Sequence, residues 1–264
     1  MKNRQPAMDH RQSSIVNHEI RIFDDLERLS WAAATRFEEL ARIKTIEKRI
    51  FAVALSGGST PKLLYEILGS PTFAGRVRWP DVHLFQVDER CVAPDDPDSN
   101  YRLIRRAMLE SLLLPEGNFH RMEAERPDRE QAAREYAGDL ARVLQPAPGE
   151  FPRLDLVFLG MGPDGHTASL FPGTAGLDEQ TAWVVPNYIE NLKAFRLTLT
   201  LPVLNASAHA IFMVTGADKA ATLREVLEGP PERYPVQRIR PVGGRASWFV
   251  DQSAAQLLSP AARG

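Results

Sequence analysis

Four apolar runs, each closing on a short polar or glycine-rich turn, limit what this chain can fold into. FAVALS (51–56) leads into GGST, and VHLFQVDER (82–90) closes on three charged residues. LDLVFLG (154–160) leads into MGPDGH, and AIFMVTG (210–216) into ADK. Strands that are apolar along their whole length must be buried on both faces. Between the runs, apolar residues recur at helical spacing over 25–49, 61–70, 100–113, 128–144 and 218–229. Strands alternating with helices predict an α/β fold, with a parallel sheet covered on both faces. Such sheets hold ligands beyond the carboxyl ends of their strands. All four turns occupy that position, so a single pocket is expected to collect them.

EIRIF (19–23), WVVP (183–186), FRLTLT (195–200) and WFVD (248–251) are further strand candidates, and SAAQLL (253–258) reads as a helix. With 264 residues, 44% of them hydrophobic, the chain is long enough for a large core, expected as one α/β domain over 19–264. Residues 1–18 are a polar lead-in without the apolar core of a secretory signal, and disorder is expected there. A formal net charge of -2 favours neither nucleic acid nor an anionic membrane as partner. No run approaches the roughly 20 apolar residues of a membrane span. The lone cysteine, Cys91, excludes an intrachain disulfide and fits a reducing compartment, so a cytoplasmic location is expected.

GPDGH carries the strongest chemical signal. His166 two residues after Asp164, in a glycine turn at a strand end, suits a general base near neutral pH, with Asp164 orienting the ring or holding a substrate hydroxyl. The alternative is a structural histidine. HTAS also reads as the start of a helix that Pro172 ends early. In LSGGSTPK, Gly57 and Gly58 let the backbone approach a ligand, while Ser59 and Thr60 add hydroxyls beside a helix start. Together they form a phosphate cradle, or else a plain capped turn. The Walker spacing and the dinucleotide fingerprint are both absent. In VDER, Asp88 orients polar groups and Arg90 offers a planar fork to an anion or oxyanion, unless the triplet is merely a solvated strand end. Asp98 to Asn100 reads as a cap for a helix beginning at Tyr101. Arg196, read alternatively as a surface residue of an edge strand, and Lys219 complete an anion site. A cation such as Lys219 is unfavourable at a helix start unless an anion joins it. Paired metal-ligand spacing is absent, as is a G-x-S-x-G elbow, which points to activated water rather than a covalent serine.

Taken together, ALSGGSTPKLLYEIL, VDERCVAPDDPDSNYRL, DLVFLGMGPDGHTASLFPG, RLTLTLPVLNAS, VTGADKAATLREVL and WFVDQSAA make the chain resemble the 6-phosphogluconolactonases, from about Val53 to Ala255. The related glucosamine-6-phosphate deaminases follow their D-G-H turn with F-N-E-P, whereas this chain has SLFP (169–172). Many lactonases carry prolines before the arginine that Arg196 matches, and here the stretch is ENLKAFR. The resemblance implies a Rossmann-like three-layer α/β sandwich with a mostly parallel sheet. It implies hydrolysis of 6-phospho-D-glucono-1,5-lactone to 6-phosphogluconate, without cofactor or metal; a monomer or homodimer is expected. The rival readings are a sugar-phosphate isomerase or deaminase and a non-catalytic sugar-phosphate sensor.

Overall fold

In a computed structural model, residues 18–263 are described. The expected lead-in therefore lies outside the described residues, save that His18 already begins the first strand. Among the described residues the chain forms ten strands: β1 (His18–Phe23), β2 (Phe51–Leu55), β3 (Val82–Gln86), β4 (Asp88–Arg90), β5 (Phe119–His120), β6 (Leu156–Leu159), β7 (Val184–Ile189), β8 (Ala194–Leu199), β9 (His209–Val214) and β10 (Arg245–Asp251). The helices of eight or more residues are α1 (Leu26–Ile46), α2 (Ser59–Leu68), α3 (Asn100–Ala107), α4 (Arg129–Leu144) and α5 (Ala220–Glu228).

Seven strands form a wholly parallel sheet in the order β1-β10-β9-β6-β2-β3-β5. Side chains alternate faces along a strand, and here both sets are buried. Val53, Leu55, Leu156, Phe158, Ile211 and Met213 pack in one core with Leu29, Phe37, Leu64 and Ile104 from α1, α2 and α3. Their neighbours Ala52, Ala54, Val157, Leu159, Ala210 and Phe212 face the opposite core, with Tyr136 and Leu140 of α4 and Leu223 of α5. That double burial is why these strands read as unbroken apolar runs.

Polar caps set the helix starts. Asp25 accepts from Arg28 N at 2.8 Å and starts α1. Ser99 accepts from Arg102 N, so α3 opens at Asn100, one residue before the expected Tyr101. Asp128 caps α4 in the same way.

Two expectations fail. Residues 82–90 are not one strand. Val87 donates to Leu55 O in the large sheet, and its carbonyl accepts from Leu199 N in a second, antiparallel sheet of order β4-β8-β7. Asp88 and Glu89 are both buried and need polar partners, which a sheet packed between two apolar cores does not offer. The chain therefore leaves the large sheet where its charges begin. HTAS starts no helix either: Thr167 bridges to Leu170, and Ala168 is left-handed at φ 51°.

Candidate active site

The strands β9, β6, β2 and β3 are neighbours in the large sheet, so their four following turns meet at one edge. They enclose a cavity of about 220 Å³ lined by Gly57, Gly58, Ser59, Thr60, Asp88, Arg90, His166, Arg196 and Lys219, among others. Nine of the ten residues singled out from the sequence line it. Asp164 is the exception and stands behind His166.

The 160–166 turn is built around its histidine. Gly162 N donates to His166 O at 2.9 Å, and Gly165 takes φ 72° to close the turn. Asp164 Oδ1 lies 2.5 Å from His166 Nδ1. An acceptor at Nδ1 fixes the proton there and leaves Nε2 with its lone pair. The imidazole also stacks on Phe171, with ring centroids 3.9 Å apart and planes 19° apart. Thr167 Oγ1 donates to Gly160 O at 2.8 Å, tying the turn back to the end of β6. The imidazole is thus held by a carboxylate on its edge and an aromatic ring on its face.

In the 56–60 turn, Gly57 lines the cavity and also makes room for a neighbouring side chain. A Cβ there would meet Asn100 Oδ1 at 1.7 Å, so it is the Asn100 carboxamide that needs this glycine. Gly58 takes φ 102°, and among the described residues no side chain caps the start of α2. The first N–H groups of that helix therefore remain available to an anion. Thr60 Oγ1 meets Thr215 Oγ1 at 3.0 Å, linking this turn to the end of β9.

On β4, Asp88 is buried and accepts from Ser169 Oγ at 2.6 Å. Asn100 Nδ2 donates to Asp88 O at 2.9 Å. Arg90 donates to Asp98 O at 2.5 Å and sits directly opposite Arg196 in the β4–β8 ladder. Strand β8 is the middle strand of its sheet, not an edge. Arg196 stands over Phe171 at 5.7 Å, on the ring that His166 also stacks upon. Burial is the largest influence on the Arg196 guanidinium and lowers it from its usual range, which for arginine still leaves the charge in place. The Nε atoms of Arg90 and Arg196 are buried without a partner among the described residues. Two cations side by side with unused donors form a site for an anion.

Several residues of the site have no individual signal in the sequence. Asn100 read only as a helix-cap residue, yet its side chain donates to Asp88 O and packs over Gly57. Glu89 is buried and is the acceptor on which the 86–101 region is organised. It receives Arg90 N, Asn100 N, Tyr101 N, Gln86 Nε2 and Ser99 Oγ, all within 3.1 Å. Burial raises its carboxyl above the usual range, and those hydrogen bonds oppose the rise. Phe171 was visible only as part of SLFP.

The chain is similar to known proteins over most of its length. A family model described as glucosamine-6-phosphate isomerases/6-phosphogluconolactonase matches residues 24–248. A 6-phosphogluconolactonase from Synechocystis sp. is 41% identical over 210 residues, covering 79% of this chain and 85% of that protein. One from Nostoc sp. is 39% identical over 211 residues, with 79% and 85% covered. The 6-phosphogluconolactonase structure from Trypanosoma cruzi superposes with a TM-score of 0.81 at 28% identity, covering 92% of this chain and 98% of that one. Among the described residues no helix is long and apolar enough to cross a membrane.

Proposed function

The chain belongs to the glucosamine-6-phosphate isomerase/6-phosphogluconolactonase family, and from that premise we propose that it hydrolyses 6-phospho-D-glucono-1,5-lactone to 6-phosphogluconate with His166 as general base. The protein is an enzyme of the pentose phosphate pathway acting on a sugar-phosphate lactone. The observation that carries the mechanism is the Asp164–His166 pair, 2.5 Å apart, with the imidazole lining the cavity that the four turns share.

The substrate phosphate is held by the 57–60 turn, Arg196 and Lys219. Binding energy from this remote group orients the lactone carbonyl toward His166. Nε2 takes a proton from water, and the oxygen attacks the carbonyl carbon. The oxyanion that forms is stabilised by Arg90, since the N–H groups of Gly162, Gly165 and His166 already bond within their own turn. The intermediate collapses, the bond from carbon to ring oxygen breaks, and the protonated His166 returns its proton to that oxygen. The new carboxylic acid then ionises. Asp164 keeps the imidazole in the tautomer that accepts at Nε2, and it supports the charged ring. Asp88, braced by Ser169 and Asn100, accepts from a sugar hydroxyl.

The same proposal treats 19–264 as one working domain, because turns from both sheets line one cavity. It includes a monomer or homodimer, independence of cofactor, metal and nucleic acid, and a cytoplasmic location, supported by the near-neutral charge and the lone cysteine.

The test is hydrolysis of freshly made lactone, coupled to 6-phosphogluconate dehydrogenase and corrected for spontaneous opening. His166→Ala is expected to lower kcat by about 10²- to 10⁴-fold. A wild-type protein no faster than the spontaneous rate refutes the function. A His166→Ala protein as fast as wild type refutes the base alone.

A further inference from the structure

Lys219 carries its charge where a helix start disfavours one. It immediately precedes α5 and occupies the cap position of that helix. Its own neighbour answers the charge: Asp218 Oδ2 lies 2.5 Å from Lys219 Nζ. The two partners sit differently. The Lys219 side chain is 20% exposed and lines the cavity, whereas that of Asp218 is 68% exposed and does not. The turn imposes this arrangement. Gly216 takes φ 97°, and a Cβ there would meet Asp218 Oδ1 at 2.6 Å, so the carboxylate is folded back over the glycine. Asp251, the other carboxylate at this turn, is already engaged by Gly216 N at 3.1 Å and Ala254 N at 2.7 Å. Asp218 is therefore the carboxylate that pairs with Lys219.

We propose that Asp218 is a displaceable counter-ion for Lys219, exchanged for the phosphate dianion of the ligand, and that it thereby sets how tightly the site holds that phosphate. The proposal rests on the phosphate reading given above. A dianion brings two charges to Lys219, where Asp218 brings one. Because Asp218 is largely exposed, it is released into water at little cost. Its charge nevertheless stays nearby and repels the phosphate. Substrate and product carry the same phosphate, so Asp218 weakens both and keeps product from lingering.

Asp218→Asn retains the shape of the side chain and removes its charge. Inorganic phosphate serves as the probe, as a competitive inhibitor, beside KM for the phosphorylated lactone and for unphosphorylated gluconolactone. In low salt the phosphate Ki and the phosphorylated-lactone KM are expected to fall by about three- to tenfold, from loss of one exposed ion pair and one repelling charge. The gain is expected to shrink as salt screens the charge. KM for the unphosphorylated lactone is expected to stay as in wild type. An unchanged phosphate Ki in Asp218→Asn, with Lys219→Ala weakening phosphate, overturns the counter-ion proposal alone. A Lys219→Ala protein that binds phosphate as wild type does overturns the phosphate reading beneath it.

Discussion

Gly162→Ala strikes the proposed catalytic pair without touching the proposed phosphate site. Gly162 does not require a left-handed backbone, so alanine is tolerated by the main chain. The added methyl, however, would stand 2.1 Å from His166 Nδ1, 2.2 Å from its Cε1 and 2.8 Å from Asp164 Oδ1. Ordinary contact begins near 3.4 Å, so the ring must move by roughly 1.3 Å. Phe171, stacked at 3.9 Å, limits that retreat, which leaves rotation of the imidazole or loss of the Asp164 contact. A displacement of about 1 Å in a reacting group costs on the order of 10²-fold. The expectation is a fall in kcat of about 10²-fold, with the phosphate Ki unchanged. The assay is the coupled lactone hydrolysis. Gly138→Ala serves as control: Gly138 is an exposed position of α4 with nothing within 4 Å of an added Cβ. It is expected to keep full activity and to gain up to about 1 kcal/mol in stability from helix propensity. A folded Gly162→Ala protein with wild-type kcat would refute the reasoning, because the Asp164–His166 geometry would then be irrelevant to turnover.

Two predictions concern stability. His120 is buried against Phe85 and meets His83 at 3.1 Å, and burial, followed by the charge of His83, lowers its pKa to about 4. The unfolded chain takes up this proton near pH 6.5 and the folded protein only near pH 4, so stability is full above 6.5 and declines as pH falls through that window, by at most about 3 kcal/mol. Denaturant melts from pH 7 to 4 check this, and a His120→Phe protein with the same slope would remove His120 as the cause. Glu89→Ala leaves three backbone N–H groups without their acceptor and is expected to cost about 3–5 kcal/mol, or ~10 °C in Tm. Thermal unfolding measures it, and a loss below about 1 kcal/mol would mean that water replaces the carboxylate.

Local order determined much of this protein. A strand buried on both faces must be apolar throughout, so the sheet was legible in FAVAL, LVFL and AIFMV. Chain order also placed the four turns at strand ends, which is enough to predict a shared pocket once the strands are parallel. Asp164 and His166 lie two residues apart, and a glycine turn alone suffices to pair them. What the sequence did not contain was the division of 82–90 between two sheets. Apolar patterning continues through Val87, and only the long-range bonds to Leu55 and Leu199 reveal the handover. The same holds for Asn100 against Gly57, 43 positions earlier, and for Arg196 opposite Arg90. Those contacts depend on how two sheets pack, which no local spacing encodes. The sequence by itself determined the chemistry available at each turn, because backbone conformation and side-chain type are local. The tertiary structure alone decided which of those groups face one another, because distance between remote residues is set by packing.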